Sequence, residues 1–115
     1  MRYLYHGSRS KFNRISIAKA IEIQKMRGIV SDYEPSMGYG FYLTNDFRDA
    51  SGFGRNGYIY RVEVLNELLE HLKKEQFKFG NQYLVESQEI ADVLNPTLRR
   101  MTFQTAVLAW AEGKF

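Results

Sequence analysis

The chain contains no cysteine among its 115 residues, so neither a disulfide scaffold nor a thiolate metal site is possible. It has only two histidines, His6 and His71, and they do not stand in the paired spacing that zinc sites use. No apolar run approaches the roughly 20 residues that cross a bilayer. We therefore expect no metal ion and no membrane contact.

The length and composition predict one globular domain that spans residues 1–115. Apolar residues make up 44% of the chain and charged residues 25%, which excludes wholesale disorder. A chain of this size normally builds a single core. Because strand-like sequence begins by Tyr3, we expect no signal peptide and a cytoplasmic location, or delivery into the cytosol of a target cell.

The charge balance is mildly basic, with a formal net charge of +3. The adjacent basic pairs Lys73-Lys74 and Arg99-Arg100 fit solvated helix faces better than a nucleic-acid site, which needs a concentrated basic stripe. Charge alone therefore does not establish nucleic-acid binding.

Hydrophobic spacing and turn residues predict strands that alternate with helices. The predicted strands lie at residues 2–6, 41–43, 57–64 and 82–86. The predicted helices lie at residues 16–27, from the Asn45 cap to about Gly52, from the Asn66 cap past Leu72, from the Ser87 cap to Leu94, and from Pro96 to Gly113. Residues 31–40 form a glycine-rich loop. Because the strand at 41–43 is short and this loop belongs to no βα turn, we expect an α+β fold.

Two features that look like ligand sites have simpler explanations. Residues 52–57 read Gly-Phe-Gly-Arg-Asn-Gly and match the dinucleotide-binding pattern, but a helix precedes them and a strand follows, the reverse of the required order. We expect them to form a turn. His71 stands beside Leu72 and Lys73 on a predicted helix and is expected to face solvent.

Three segments far apart in the sequence carry polar or aromatic residues that a sheet does not need. They are residues 3–9 (Tyr-Leu-Tyr-His-Gly-Ser-Arg), 38–44 (Gly-Tyr-Gly-Phe-Tyr-Leu-Thr) and 81–85 (Asn-Gln-Tyr-Leu-Val). His6 ends an apolar strand, and Gly7 lets a ligand approach the main chain. Taken alone, His6 fits a ligand-binding residue and a partly buried strand end equally well. A histidine, a tyrosine and an amide from three strands together indicate a site.

These segments resemble the signature segments of ADP-ribosyltransferases, in the diphtheria-toxin and poly(ADP-ribose) polymerase branch that is known by a His-Tyr-Glu triad. The likeness lies in His-Gly-Ser-Arg at 6–9, Gly-x-Gly-Phe-Tyr at 38–42 and Gln-Tyr-Leu-Val at 82–85. It covers residues 3–86, whereas residues 87–115 have no counterpart and are expected to form a helical C-terminal extension. The resemblance implies an ADP-ribosyltransferase-like fold in which two small antiparallel sheets form an NAD cleft, with helices outside.

The resemblance implies that NAD is the co-substrate and assigns roles around its nicotinamide end. His6 would hydrogen-bond a ribose hydroxyl, and the main chain of Gly7 would hold the nicotinamide carboxamide. Tyr42 would stack on the nicotinamide ring. Phe53 stands at the family's distance for a second aromatic residue and would close the other side, since a phenyl face stacks as a tyrosine does.

Further residues match the cofactor-binding pattern less directly. Ser51 is the candidate for the family's helix serine, although it is one position off the usual spacing and Ala50 occupies the usual place. Ser8 and Arg9 would lie near the adenosine half, where the Arg9 guanidinium suits diphosphate oxygens. Residues 31–39 resemble the loop that lies over the cofactor.

The main departure from the family is Gln82, which stands where the family has its catalytic glutamate. In the family this residue binds the 2′-hydroxyl of the nicotinamide ribose and stabilises the oxocarbenium-like centre. Glutamine keeps an acceptor oxygen but loses the charge, a difference of about 1–2 kcal/mol, or about tenfold in rate. We expect no elongation of an ADP-ribose chain, because glutamine cannot take a proton. Glu86 and Glu63 are the candidate substitute carboxylates, each more simply explained by solvent or an ion pair.

The resemblance therefore predicts a mono-ADP-ribosyltransferase, with His6, Tyr42 and Gln82 as its catalytic residues. It would cleave NAD and transfer one ADP-ribose to a macromolecular acceptor, either protein or nucleic acid, as a toxin or effector. The alternative is a catalytically weak or inactive module that binds NAD or ADP-ribose. A small basic nucleic-acid binder without NAD chemistry is a third hypothesis, which predicts salt-sensitive binding.

Overall fold

Six antiparallel strands form one continuous sheet in the computed structural model, which describes residues 1–115. The strands are β1 (Arg2–Ser8), β2 (Phe41–Thr44), β3 (Tyr58–Val64), β4 (Lys73–Gln76), β5 (Asn81–Val85) and β6 (Arg99–Thr102). Their order across the sheet is β4-β5-β2-β1-β3-β6. The expected α+β class is confirmed, but the structure has one sheet where two were expected, because β1 and β2 join the two halves.

Five helices pack on the sheet: α1 (Ile17–Val30), α2 (Phe47–Gly54), α3 (Asn66–Leu69), α4 (Gln88–Leu94) and α5 (Phe103–Ala111). Ser87 caps α4 as predicted, by accepting a hydrogen bond from the Ile90 amide. The cap of α2 is Asp46 rather than Asn45, since the Asp46 carboxylate accepts from the Arg48 amide. Gly28 does not end α1, which continues to Val30.

The sequence pattern missed two edge strands. The helix expected from Asn66 past Leu72 is only the four-residue α3, and β4 follows it. The helix expected from Pro96 to Gly113 begins only at Phe103, because Arg99–Thr102 forms β6 on the other edge. Residues 87–115 therefore contain a strand as well as helices. Edge strands rich in charged residues are common because they discourage pairing with other chains, but they show no apolar alternation.

The two faces of the sheet carry separate apolar clusters. Alternate residues of the central strands, such as Leu4 and Val62, pack against α1 and α4 on one face. Residues at the intervening positions of these strands, such as Tyr5 and Ile59, pack against α2 and α5 on the other face. No helix combines the length and the apolar character that crossing a bilayer requires.

The sheet is weakly joined between β1 and β2. β1 pairs with β3 along its whole length, from Arg2↔Val64 to Ser8↔Tyr58. It pairs with β2 only at Tyr5↔Thr44. Beyond that pair, towards Ser8 and Phe41, the two strands make no further ladder pairing, and we call this unpaired stretch the seam. The three segments singled out from the sequence lie on β1, β2 and β5, which are neighbours around this seam.

Candidate functional site

His6 bridges the seam from β1 to the main chain of β2. Its Nδ1 lies 2.7 Å from the carbonyl oxygen of Tyr42, and its ring stacks on Phe41 with centroids 4.1 Å apart. Because a carbonyl oxygen only accepts, Nδ1 carries the proton. In the neutral ring Nε2 is then an acceptor, which is the atom that a ribose hydroxyl needs.

Burial keeps the imidazole of His6 neutral. Desolvation lowers the pKa of His6 from 6.5 to about 4, although the hydrogen bond to the Tyr42 carbonyl acts in the opposite direction. The ring is therefore uncharged near pH 7. It acts there as a fixed acceptor and not as a cation.

This pKa predicts an acid-sensitive stability. Between pH 7 and pH 5 the unfolded chain protonates His6 while the folded protein does not, so stability falls as pH falls from the unfolded pKa toward the folded one. We expect the free energy of unfolding to fall by about 2 kcal/mol more in the wild type than in His6→Phe, whose ring retains the contact with Phe41 but does not titrate. Urea unfolding at several pH values measures this difference. Parallel pH profiles for the two proteins would contradict it.

Gly7 lies directly against helix α2. A Cβ atom at this position would stand 1.9 Å from the carbonyl oxygen of Ala50 and 2.5 Å from the amide nitrogen of Gly54. Only glycine permits this approach, which brings α2 against β1 on the face that carries Tyr5. Gly7 is thus required here by packing, whether or not it also binds a ligand.

Tyr42 is fixed by the loop that precedes it. Its hydroxyl donates to the Gly38 carbonyl at 2.6 Å and accepts from the Met37 amide at 3.0 Å. Burial is the main cause that raises the pKa of Tyr42, so the phenol is neutral. The loop is tied down at its end as well, because the Gly40 amide donates to the buried side chain of Gln24 at 3.0 Å.

The glycines of the Gly-x-Gly pattern are required by the backbone of this loop. Gly38 and Gly40 have φ angles of 109° and 155°, a region that side chains disfavour. A Cβ at Gly40 would also lie 2.5 Å from the carbonyl oxygen of Val85 on β5. The pattern therefore brings the loop close to β5 and leaves the Tyr42 ring beneath it.

Strand alternation assigns the site residues to faces. Gly7, Tyr42 and Gln82 share the face on which α2 packs, by the pairings Tyr5↔Thr44 and Thr44↔Gln82. His6 belongs to the opposite face, where it stacks on Phe41. His6 therefore contacts this group of residues only across the seam, through its hydrogen bond to the main-chain carbonyl of Tyr42.

Phe53 and Ser51 both lie on α2 and contact residues other than Tyr42. The ring of Phe53 is 58% exposed and pairs with Phe77 at a centroid distance of 6.0 Å, not with Tyr42. A nicotinamide ring stacked between Tyr42 and Phe53 would need about 7 Å between those two side-chain rings, twice the separation of packed carbon atoms. The Ser51 hydroxyl donates to the Arg48 carbonyl at 2.8 Å within α2, and Ala50 is the residue that faces Gly7.

Ser8 and Arg9 lie at the end of β1 beyond Gly7. The Ser8 hydroxyl accepts from the Ser10 amide at 3.0 Å, and Arg9 is exposed. The turn at Gly57 presses against both, since a Cβ there would lie 2.6 Å from the Arg9 Cα. Both residues lie at the Ser8 end of the seam, on the same strand end as His6.

Gln82 is paired with a carboxylate that the sequence analysis missed. Gln82 lies opposite Glu75 in the β4–β5 register, and its Nε2 donates to the Glu75 Oε1. The same oxygen accepts from the hydroxyl of Ser36, in the loop above Tyr42. The turn signal at Gly80, just before a predicted strand, could have indicated a hairpin and hence this partner.

The two carboxylates considered from the sequence lie elsewhere. Glu86 forms an exposed ion pair with Lys73 at 3.4 Å. Glu63 is opposite Tyr3, at the end of β1 away from Gly7. Neither reaches the seam. No group of three or more acidic, histidine or cysteine side chains is arranged to hold a metal ion.

One cavity lies beside this site and not within it. It measures about 380 Å³ and is lined by Tyr5, Asn45, Asp46, Phe47, Arg48 and Trp110. It opens at the N-terminal end of α2, whereas the seam lies at the other end of the Gly7–α2 contact. Neither this cavity nor a second one, lined by Phe12, Asn13, Leu98 and Arg100, includes Tyr42 or Gln82 in its lining.

Comparisons with protein-family models, with curated proteins and with solved structures find no match for this chain.

Proposed function

We propose that this protein is a mono-ADP-ribosyltransferase that uses NAD as co-substrate. The observation that supports this best is the placement of Gly7, Tyr42 and Gln82 on one face of three consecutive strands, with His6 bonded across the seam to the Tyr42 main chain. These residues come from the three segments that resemble the family. The proposal includes an ADP-ribosyltransferase-like fold, in which the seam divides the sheet into the two halves of the NAD cleft.

The residues present fit the nicotinamide end of NAD. Tyr42 offers a ring whose hydroxyl is fixed at two points, so stacking on it costs little further ordering. Gly7 would offer only the edge of its main chain, because helix α2 fills the space where a Cβ would stand. His6 offers a neutral acceptor nitrogen. Because His6 stacks on Phe41, a ribose hydroxyl would meet its Nε2 on the face of the sheet opposite to Tyr42.

The reaction takes place at the ribose carbon that bears nicotinamide. The bond between this carbon and nicotinamide breaks, and its electron pair leaves with nicotinamide. An oxygen or nitrogen of the acceptor forms a bond to the same carbon and loses its proton. Tyr42 and Gly7 hold the leaving group in line. His6 and Gln82 fix the ribose by accepting its hydroxyl hydrogens. The loop at 31–40 excludes water, so that the acceptor rather than solvent reacts.

The proposal is tested by incubating the protein with labelled NAD and cell lysate. We expect free nicotinamide and a labelled macromolecule, and His6→Ala should lower nicotinamide release by about tenfold or more, because one ribose hydrogen bond and its orientation are lost. His71→Ala is the matched control, since His71 is the other histidine and is exposed on the surface. Equal turnover in the wild type and His6→Ala would refute the assignment.

Gln82 favours one alternative, an NAD-binding or ADP-ribose-binding module without turnover. Its neutral amide contributes less to charge stabilisation than a glutamate would. Calorimetry separates the two functions, because binding without nicotinamide release over hours identifies the module. The acceptor class, protein or nucleic acid, and a role as a toxin or effector in the cytosol belong to the proposal, and mass spectrometry of the labelled products identifies the acceptor.

A further inference from the structure

Glu75 connects Gln82 to the loop that lies over Tyr42. β4 is the edge strand, and its only neighbour is β5. Glu75 is partly buried, and one of its carboxylate oxygens accepts from both the Gln82 side-chain amide and the Ser36 hydroxyl. Gln82 stands at the position of the family's catalytic glutamate, and Ser36 belongs to the covering loop.

This contact fixes which end of the Gln82 amide faces the seam. An ionised carboxylate has no proton to donate, so only the amide nitrogen of Gln82 can face Glu75. The amide oxygen must then point away from β4. Without the carboxylate, the two ends of the amide would be nearly equivalent in shape and free to exchange places. Glu75 thus selects the orientation in which Gln82 presents an acceptor.

Glu75 also places a negative charge one hydrogen bond from the catalytic position. Gln82 lacks the negative charge that the family's glutamate has at this position. Its amide is polarised instead by the carboxylate of Glu75 on the neighbouring strand. Hydrogen bonds in chains polarise one another, so an amide that donates to a carboxylate has a more negative oxygen. The same carboxylate holds Ser36, which ties the covering loop to the same point.

We infer that Glu75 is the positioning residue of this site: it orients the Gln82 amide oxygen toward the ribose and holds the covering loop through Ser36. The inference rests on the proposed function. It assigns to a cross-strand pair, Glu75 with Gln82, the task that one glutamate performs in the family.

A charge swap tests the pair. In Glu75→Gln the amide at position 75 can donate as well as accept, so it no longer selects the amide nitrogen of Gln82 as its partner. We expect kcat to fall about tenfold, with KM for NAD within about twofold. In Gln82→Glu two carboxylates are forced into contact, so activity should fall at pH 8 and recover toward pH 5.5 as one of them takes a proton. In the double variant E75Q/Q82E the hydrogen bond is restored with donor and acceptor exchanged. We expect it to recover wild-type activity or exceed it.

A second readout distinguishes orientation from folding. Gln82→Glu should lower Tm by roughly 4 °C at pH 8, and the double variant should regain it. Glu86→Gln removes an exposed carboxylate that pairs with Lys73 near the end of β5, and it should leave kcat unchanged within about twofold. Recovery of kcat in the double variant, with the pH profile of Gln82→Glu, is a result that a merely structural role would not give.

The outcomes separate the two claims. Additive losses, in which the double variant is slower than either single variant, overturn the role of Glu75 while the wild-type enzyme remains active. A wild-type protein that neither binds NAD nor releases nicotinamide refutes the proposed function and removes this inference with it. An active wild type with non-additive recovery supports both.

Discussion

Replacement of Tyr42 by alanine is expected to lower nicotinamide release from NAD by about a hundredfold, a loss of about 3 kcal/mol in transition-state stabilisation. Stacking of an aromatic base on a side chain contributes roughly 1–3 kcal/mol, and the variant loses that surface. It also loses the two hydrogen bonds that hold Met37 and Gly38, each worth about 1 kcal/mol. The covering loop would then be free to leave the site.

Tyr42→Phe separates these two contributions. The phenyl ring still stacks, but the bonds to Met37 and Gly38 are absent, so we expect a loss of about tenfold. Tyr3→Ala is the matched control, because Tyr3 is an exposed tyrosine at the far end of β1. Steady-state nicotinamide release measured by chromatography gives all three values. Turnover of Tyr42→Ala within about twofold of the wild type would remove Tyr42 from the site.

Replacement of Gly7 by alanine is expected to reduce stability by about 3 kcal/mol and to abolish NAD binding. The added Cβ would lie 1.9 Å from the Ala50 carbonyl, and the nearest atoms are backbone, which cannot turn aside as a side chain can. Helix α2 must therefore move away from β1. In a chain of this length the loss corresponds to a fall of roughly 12 °C in Tm.

Gly52→Ala is the control for this change, since it adds the same methyl group to α2 where no atom lies within 4 Å. Alanine is the better helix former, so we expect Gly52→Ala to gain about 0.5–1 kcal/mol. Thermal unfolding followed by circular dichroism measures both variants, and calorimetry with NAD gives the binding. A Gly7→Ala protein as stable as the wild type would contradict the close contact between β1 and α2.

The central part of the fold was predictable because its strands and caps have clear local signals. The strand over Tyr58–Val64 lies where the sequence predicted one, and Ser87 caps α4 as its sequence context indicates. The glycines at 38 and 40 predicted a loop, and the structure gives the reason in their positive φ angles. These features follow from short-range physics that a sequence displays.

The edges of the sheet were not predictable in the same way. Lys73–Gln76 is a strand because β5 offers it a hydrogen-bonding edge, not because of its own pattern. The leucines at 65, 68, 69 and 72 have helical spacing, yet only Asn66–Leu69 forms a helix before the chain turns into β4. The partner of Gln82 was therefore hidden. Glu75 is seven positions earlier in the chain and reaches Gln82 only through this tertiary pairing.

The positions of the candidate site residues were predicted better than their contacts. β1, β2 and β5 are adjacent, as the site required. The weak join between β1 and β2, across which His6 reaches the Tyr42 carbonyl, depends on a long-range register. Phe53 also pairs with Phe77 of the hairpin turn, which the sequence did not predict as a turn between strands.

The most direct test of the proposed NAD pocket is a titration of the isotope-labelled protein with NAD, followed by NMR of its amide groups. We expect the largest shifts at the Gly7 backbone amide, the Gln82 side-chain amide and the loop before Tyr42. The Trp110 indole and the Asn45 amide line the neighbouring cavity and report on it separately. Shifts confined to Trp110 and Asn45, or none at millimolar NAD, would contradict a pocket built from β1, β2 and β5.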